Sequence, residues 1–229
     1  MNEGILELSS KGLLNGASIM VNHLGDDAAS SIKELSSIDL GLHFSVTTKI
    51  DKGSYSSFLL SYLVGAISED FIKSQLEDQY NKLRGKNVEV SFLDAHQNIQ
   101  LLKKIFTPLE NFANEHDLFL RKPYEVSPFK NTKKYIYNSL AKKPNNLPLI
   151  GLSMMGANLN LEHLKQQIQY LNDRGIDRVL WMVHPAKGGV SNIDSIGFGR
   201  LLEYEFLMKE SDFINDHFEL LPLKTTLES

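Results

Sequence analysis

The sequence predicts an α/β fold built on a largely parallel sheet, and two observations carry that expectation. The hydrophobic period switches back and forth between strand-like and helix-like along the chain, which is the signature of repeated β-α units. Residues able to bind metals or move protons stand directly after several of the strand-like runs, where ligands bind in open parallel sheets and in closed barrels alike. The sheet is therefore expected either open or closed into a barrel.

Strands are expected at Ala17 to Asn22, Ile38 to His43, Val88 to Leu93, Leu118 to Arg121, Pro148 to Leu152, Arg178 to Val183 and Phe218 to Leu221. Between them, apolar residues recur three or four apart, as in Ile72, Leu76, Tyr80, Leu83 and again in Leu161, Leu164, Ile168, Leu171, the pattern of helices packed on a sheet. Local chemistry agrees with the period: Ser68 with Glu69 and Asp70, and Asn160, stand where helices should start, and Gly12, Gly85 and Gly175 where helices should close. The stretch from Val46 to Gly65, rich in Ser, Thr and Lys, fits neither period and is read as a long loop of the kind that often forms a lid.

Composition sets the function classes. The chain has 229 residues, 42% of them hydrophobic, enough for one sizeable core and short for two full domains, so a single domain over residues 1–229 is expected. Net charge is −4 with lysines and arginines scattered among acids, which argues against a nucleic-acid partner. Cysteine is absent, so disulfides, thiolate metal sites and a cysteine nucleophile are excluded together, and any metal must sit on His, Asp or Glu. No run reaches the roughly 18 apolar residues of a membrane span, and the first residues carry neither a basic segment nor an apolar signal core. A cytoplasmic location is the default expectation, with a homodimer left open.

Strand ends are the place to search. The second strand ends in Gly41-Leu42-His43, the third in Asp94-Ala95-His96, the fourth in Arg121 and the sixth in His184-Pro185. Other histidines read differently: His116, His163 and His217 lie on helices or at their ends as solvated side chains, and His23 is undecided. Asp26-Asp27 resembles a metal-binding carboxylate pair but precedes Ala28-Ala29, where helix capping is the better reading. Trp181 and Met182 lie within a strand and are read as core.

These residues stand in motifs whose order is informative. The run "NEGILEL…GLLNGASIMVN", "GLHFSVT", "LDAHQNIQLL", "LFLRKPYE", "IGLSMMGANLNLEHL", "WMVHPAKG" and "RLLEYEFL" resembles the YdjC/ChbG family of carbohydrate deacetylases over nearly the whole chain. The resemblance implies a TIM-barrel-like (β/α) fold and hydrolysis of the N-acetyl group of a sugar, such as a chitooligosaccharide, with a divalent ion, magnesium or zinc. It also implies His43 and His96 as metal ligands and His184 as the proton donor.

The chemistry explains these residue types. An amide is a poor electrophile with a poor leaving group, so a metal-held water supplies the nucleophile and the ion polarises the carbonyl. The departing amine needs a proton from a general acid with a pKa near the operating pH, which suits a histidine. Asp94 and His96 are two apart, so on an extended strand they share a face, and the carboxylate can orient the imidazole or contact a metal-bound water. Arg121 is read either as positioning a carboxylate or sugar hydroxyl, or as a surface ion pair.

The chain departs from the family pattern twice. Where the family continues its third motif with further histidines, Asn98 and Gln100 stand here, keeping hydrogen bonding but losing good ligands. The family's first strand, ending in an Asp-Asp pair that supplies a third ligand and the general base, has no counterpart before Asn2-Glu3. The expectation is a family framework without its first catalytic strand, arising from a misplaced start or as a remnant that binds carbohydrate or a partner without turnover. A barrel lacking one strand would expose two edges.

Overall fold

The structure is a computed structural model that describes residues 2–25, 32–46, 55–141, 147–188 and 197–223. In chain order its elements are α1 (Asn2–Ser10), β1 (Gly16–Ile19), β2 (Asp39–Phe44), α2 (Tyr55–Leu63), α3 (Glu69–Arg84), β3 (Val90–Ala95), α4 (Lys103–Glu115), β4 (Phe119–Leu120), α5 (Thr132–Ala141), β5 (Leu149–Ile150), α6 (Leu161–Asn172), β6 (Leu180–Trp181), α7 (Gly199–Lys209) and α8 (Ser211–His217). They fall into two compact units, one of Gly16–Lys122 and one of Met1–Asn15 with Pro123–Ser229.

The unit of residues 16–122 carries a four-stranded sheet in the order β1-β2-β3-β4, every neighbouring pair parallel. Alternation along β2 buries Leu40, Leu42 and Phe44, and α3 turns Ile72, Leu76 and Leu83 inward at the spacing the sequence shows. Helix α4 does the same with Ile105, Leu109 and Phe112. Burying a leucine or isoleucine in this way is worth about 1.5–3 kcal/mol each. The Ser68 cap forms as expected, its hydroxyl accepting from the Phe71 N–H at 3.1 Å. Gly85 does not take the left-handed closing position (φ −63°); Asn87 does (φ 59°), and the Val88 N–H then reaches back to the Leu83 carbonyl.

The second unit holds a two-stranded parallel sheet, β5-β6, extended by a bridge from Glu125 to Leu149. Its core gathers Leu8, Leu13, Leu164, Tyr204, Leu207 and Ile214, with Ile168 and Trp181 packed against it. Trp181 is thus core, as read from its place in a strand. Asn160 caps α6 by accepting the His163 N–H at 2.9 Å, and Gly12 and Gly175 close their helices at φ 67° and 62°. Gly151 has φ 108°, and a Cβ there would lie 2.2 Å from the Met182 carbonyl oxygen, so no other residue fits between these strands.

Three expectations are corrected. The strand expected at Phe218 to Leu221 is not formed: Phe218 is extended (φ −132°, ψ 134°), but the segment joins no ladder and is held instead by the Phe218 ring against Trp181 and by the Asn15 amide on the Leu221 carbonyl. The stretch Val46 to Gly65 is not one long loop, because Tyr55–Leu63 is helix α2, anchored by the fully buried Phe58; its residues 47–54 lie outside the described residues. The closed TIM-like barrel is not seen: among the described residues the strands form separate sheets of four and two. Asp26-Asp27 lies outside the described residues.

Candidate functional site

Parallel strands in close register bring their ends to one level, and that delivers the first cluster. His43 on β2 lies directly opposite Asp94 on β3. The Arg121 N–H, just past β4, bonds to the Leu93 carbonyl at 2.9 Å, which places Arg121 beside Asp94. The pairing of His43 with Asp94 depends on one irregularity: Leu40 pairs with Val90, but Gly41 pairs with Phe92, one residue further on. Without that shift His43 would face Leu93. Gly41 fits the shift because the Phe92 ring lies against it; a Cβ would sit 2.3 Å from a ring carbon.

Asp94 uses both oxygens. Oδ1 is 2.6 Å from His43 Nδ1 and Oδ2 is 2.9 Å from the Arg121 guanidinium, with all three side chains buried or half-buried. Burial pushes the Asp94 carboxyl upward, but the adjoining His43 imidazole and Arg121 guanidinium outweigh it and hold the acid down at about 2. An ionised Asp94 accepts from Nδ1–H and so leaves the lone pair of His43 on Nε2. Nε2 in turn faces His96 Nδ1 at 3.4 Å, the two rings edge to face. Asp94 thus orients the imidazole of the neighbouring strand, and His96 follows in the turn after β3.

That turn is unusual. Gln97 and Asn98 have φ of 55° and 54°, two successive left-handed residues that are not glycine, in a 3₁₀ run from His96 to Leu101. The left-handed region costs a non-glycine residue roughly 1–2 kcal/mol, so the chain holds strain next to His96. Gln100 is buried, its amide N–H directed to the Arg121 carbonyl at 3.5 Å, while its Oε1 and the Asn98 Oδ1 are buried with no partner among the described residues. Beyond Phe44, the Gln79 side chain accepts the Ser45 N–H at 3.1 Å and donates to the Ser45 carbonyl at 2.9 Å, pinning the chain after His43.

Two donors have the spacing of neighbouring ligands on one metal ion. Two ligands on one tetrahedral ion with bonds of about 2.0–2.1 Å stand about 3.4 Å apart, and His43 Nε2 and His96 Nδ1 are 3.4 Å apart. Asp94 is a poor third ligand, since both of its oxygens are engaged. Among the described residues no three His, Cys, Asp or Glu side chains converge.

His184 belongs to the other unit, after β6 in the "HPAKG" motif. Its backbone N–H donates to Glu203 Oε2 at 2.5 Å, its Nδ1 is 3.9 Å from the same oxygen, and its ring is half-buried. Burial pushes the Glu203 carboxyl up, opposed by the N–H groups of His184 and Gly156 and by Arg200. Sequence reasoning missed Glu203; the signal available was a lone acid at the spacing of the buried face of α7, beside Tyr204 and four residues from Leu207. It also missed Glu125, which accepts both the N–H and the hydroxyl of Ser153 at 2.7 and 2.6 Å, and Ser18, whose hydroxyl lies 3.4 Å from His43 Nδ1.

The remaining histidines have local roles. His163 accepts or donates at Asn158 and Asn160 at the start of α6, His116 packs on Phe112 and Tyr80, and exposed His217 stacks on Phe213. The reading of them as simply solvated holds for His217; the other two are half-buried. His23 is exposed. Among the described residues no helix is long and apolar enough to cross a membrane.

A parallel sheet whose strand ends carry His43, Asp94 and Arg121 defines an α/β protein with its candidate residues at strand termini. The profile of the family described as "YdjC-like protein" matches residues 1–212, and the chain belongs to that family. It is similar to a chitooligosaccharide deacetylase of Yersinia enterocolitica, 25% identical over 198 residues that cover 81% of this chain and 76% of that protein. A carbohydrate deacetylase of Thermoanaerobacter pseudethanolicus is 23% identical over 185 residues, covering 71% and 74%. In fold the chain resembles a protein of Enterococcus faecalis described as a candidate for cellobiose-phosphate cleavage, with a TM-score of 0.65 at 13% identity over 98% of this chain and 92% of that one.

Proposed function

We propose that the protein is a metal-dependent carbohydrate deacetylase that hydrolyses the N-acetyl group of a sugar such as a chitooligosaccharide. The observation that carries this reading is the His43–His96 pair, two imidazole nitrogens 3.4 Å apart backed by the Asp94–Arg121 ion pair. The names of the two relatives supply the substrate class.

In this reading His43 Nε2 and His96 Nδ1 hold the ion. Two imidazoles favour zinc over magnesium, which prefers oxygen ligands. When bound, the ion supplies Lewis acidity toward the amide carbonyl and toward water. Asp94 fixes the tautomer of His43 and raises its basicity as a ligand. Arg121 keeps Asp94 ionised in a buried place, a role that replaces direct contact with substrate. His184 donates the proton that the amine nitrogen takes up as its bond to the acetyl carbon breaks.

The test has two arms. Zinc binding is measured by calorimetry on the unaltered chain and on His43→Ala and His96→Ala, with circular dichroism to check folding; unchanged affinity in both variants would remove the ligand assignment. Acetate release from chitooligosaccharides is followed in parallel, where His184→Ala should keep zinc and lower turnover roughly 10²–10⁴-fold. Sugar binding without acetate release would replace the enzyme by a carbohydrate-binding protein.

A further inference from the structure

Helix α7 holds the segment from His184 to Lys187 at two points directly and at a third through Glu7 of α1. The His184 N–H donates to Glu203 at 2.5 Å, and the Ala186 N–H donates to the Arg200 carbonyl at 3.0 Å. The Lys187 ammonium and the Tyr204 hydroxyl both donate to Glu7, at 2.8 and 2.7 Å. The last of these ties α1 into the same assembly, where Gly4 passes so close that a Cβ would lie 2.9 Å from the Lys187 backbone nitrogen. The other Glu203 oxygen accepts the Gly156 N–H at 2.8 Å, from the left-handed Gly156 of the "GAN" turn. One carboxylate therefore joins two motif segments that are far apart in sequence.

A buried carboxylate is a costly way to tie a helix to a loop, because removing it from water is unfavourable and apolar contacts would serve. Glu203 is only 1% exposed. What it offers beyond an amide or a hydroxyl is two acceptor oxygens together with a negative charge. One of those oxygens lies 3.9 Å from His184 Nδ1.

We infer that Glu203 is the positioning residue for His184: it fixes the "HP" segment through the His184 N–H, tying it to Gly156, and its carboxylate faces Nδ1, leaving Nε2 as the nitrogen that gives up the proton. What His184 does with that proton rests on the deacetylase reading; the coupling between the two side chains does not. Among the described residues, the His184 ring at 3.9 Å and Arg200, on the same helix as Glu203, are charged groups that face Glu203.

The experiment compares the unaltered chain with Glu203→Gln. Nuclear magnetic resonance follows the His184 ring and the His184 and Gly156 amides between about pH 4 and 9, while acetate release from chitooligosaccharides gives kcat and KM. Losing an opposite charge at this distance should lower the ring's titration midpoint by roughly one unit or more, and kcat should fall roughly ten- to a hundredfold with KM little changed, the usual effect of losing a partner that orients an acting imidazole. An unchanged ring titration with only a lower melting temperature would overturn the inference and leave Glu203 a structural tie. If the unaltered chain releases no acetate, the deacetylase reading fails, and the ring titration still decides the coupling. If Glu203→Gln does not fold, the unaltered chain alone suffices: protonation of Glu203 should displace the His184 ring resonances, and a ring silent to it while the amide responds would overturn the inference.

Discussion

Asp94 and Glu203 are the acids buried beside the strand-end histidines, one in each unit, 5% and 1% exposed. Their carboxyls are nevertheless displaced in opposite directions, Asp94 down to about 2 and Glu203 up. Burial raises both. The difference lies in the partners, since Asp94 has a guanidinium and an imidazole against its two oxygens, while Glu203 has two backbone N–H groups with Arg200 contributing less. Dipoles alone do not offset the desolvation of a full charge, whereas an opposite charge in contact does. Glu125, held by the N–H and hydroxyl of Ser153 with Lys134 as a weaker influence, falls on the Glu203 side of this divide.

The largest break in this comparison should come from Asp94→Ala. It takes the Asp94 carboxylate from the buried Arg121 guanidinium and the acceptor from His43 Nδ1, and loss of one partner of a buried pair costs roughly 3–5 kcal/mol. Urea unfolding should show that loss, and Glu203→Gln, which among the described residues breaks no ion pair of comparable closeness, should lose roughly 1–3 kcal/mol at most. Equal losses from the two variants would show that partner type does not separate the two acids.

Gly41→Ala tests the register that creates the Asp94 environment. A methyl group there overlaps the Phe92 ring at 2.3–2.5 Å, and overpacking of this kind costs about 1–3 kcal/mol. The variant should unfold at lower urea and bind zinc more weakly, because moving Phe92 disturbs the pairing of His43 with Asp94. Full zinc affinity in a destabilised variant would separate the bulge from the site.

The smallest effect is in the pH dependence, and its sign differs between the acids. The folded value of Asp94 lies below its ordinary one, so the stability it contributes is complete above about pH 4 and is lost as pH falls toward 2. For Glu203 and Glu125 the folded values are raised, so the native state keeps protons that the unfolded state has released. Their contribution is greatest below the ordinary carboxyl range and declines as pH rises through it, until the folded carboxyls ionise. Unfolding measured from pH 2 to 8 should give a curve whose acid limb flattens in Asp94→Asn and whose decline at higher pH weakens in Glu203→Gln.

Much of the placement of the candidate residues was legible one residue at a time. His43, Asp94, His96, Arg121 and His184 stand at strand ends where the hydrophobic runs stop, and the caps at Ser68 and Asn160 are short-range chemistry. Their partners were not legible. Sharing a face along one strand suggested that Asp94 serves His96, whereas it bonds to His43 on the next strand, because the shift at Gly41 sets the cross-strand pairing. The polar stretch containing α2 concealed a helix, since a single anchoring side chain, Phe58, does not produce a readable period. The apolar Phe218 to Leu221 run read as a strand because extended backbone and aromatic packing imitate one without a ladder.

The sequence by itself determined the parallel α/β class, the helix boundaries set by caps, the absence of thiol chemistry and the residue types that can hold an ion or carry a proton. These depend on period and on side-chain chemistry, which act over a few residues. Only the tertiary structure decided that Asp94 is shared between His43 and Arg121, that Glu203 holds His184 and Gly156 together, and that the two carboxyls are displaced in opposite directions. Each of these depends on groups 19 to 51 residues apart along the chain, and the free energy of a buried charge is set by whatever lies within a few ångströms of it.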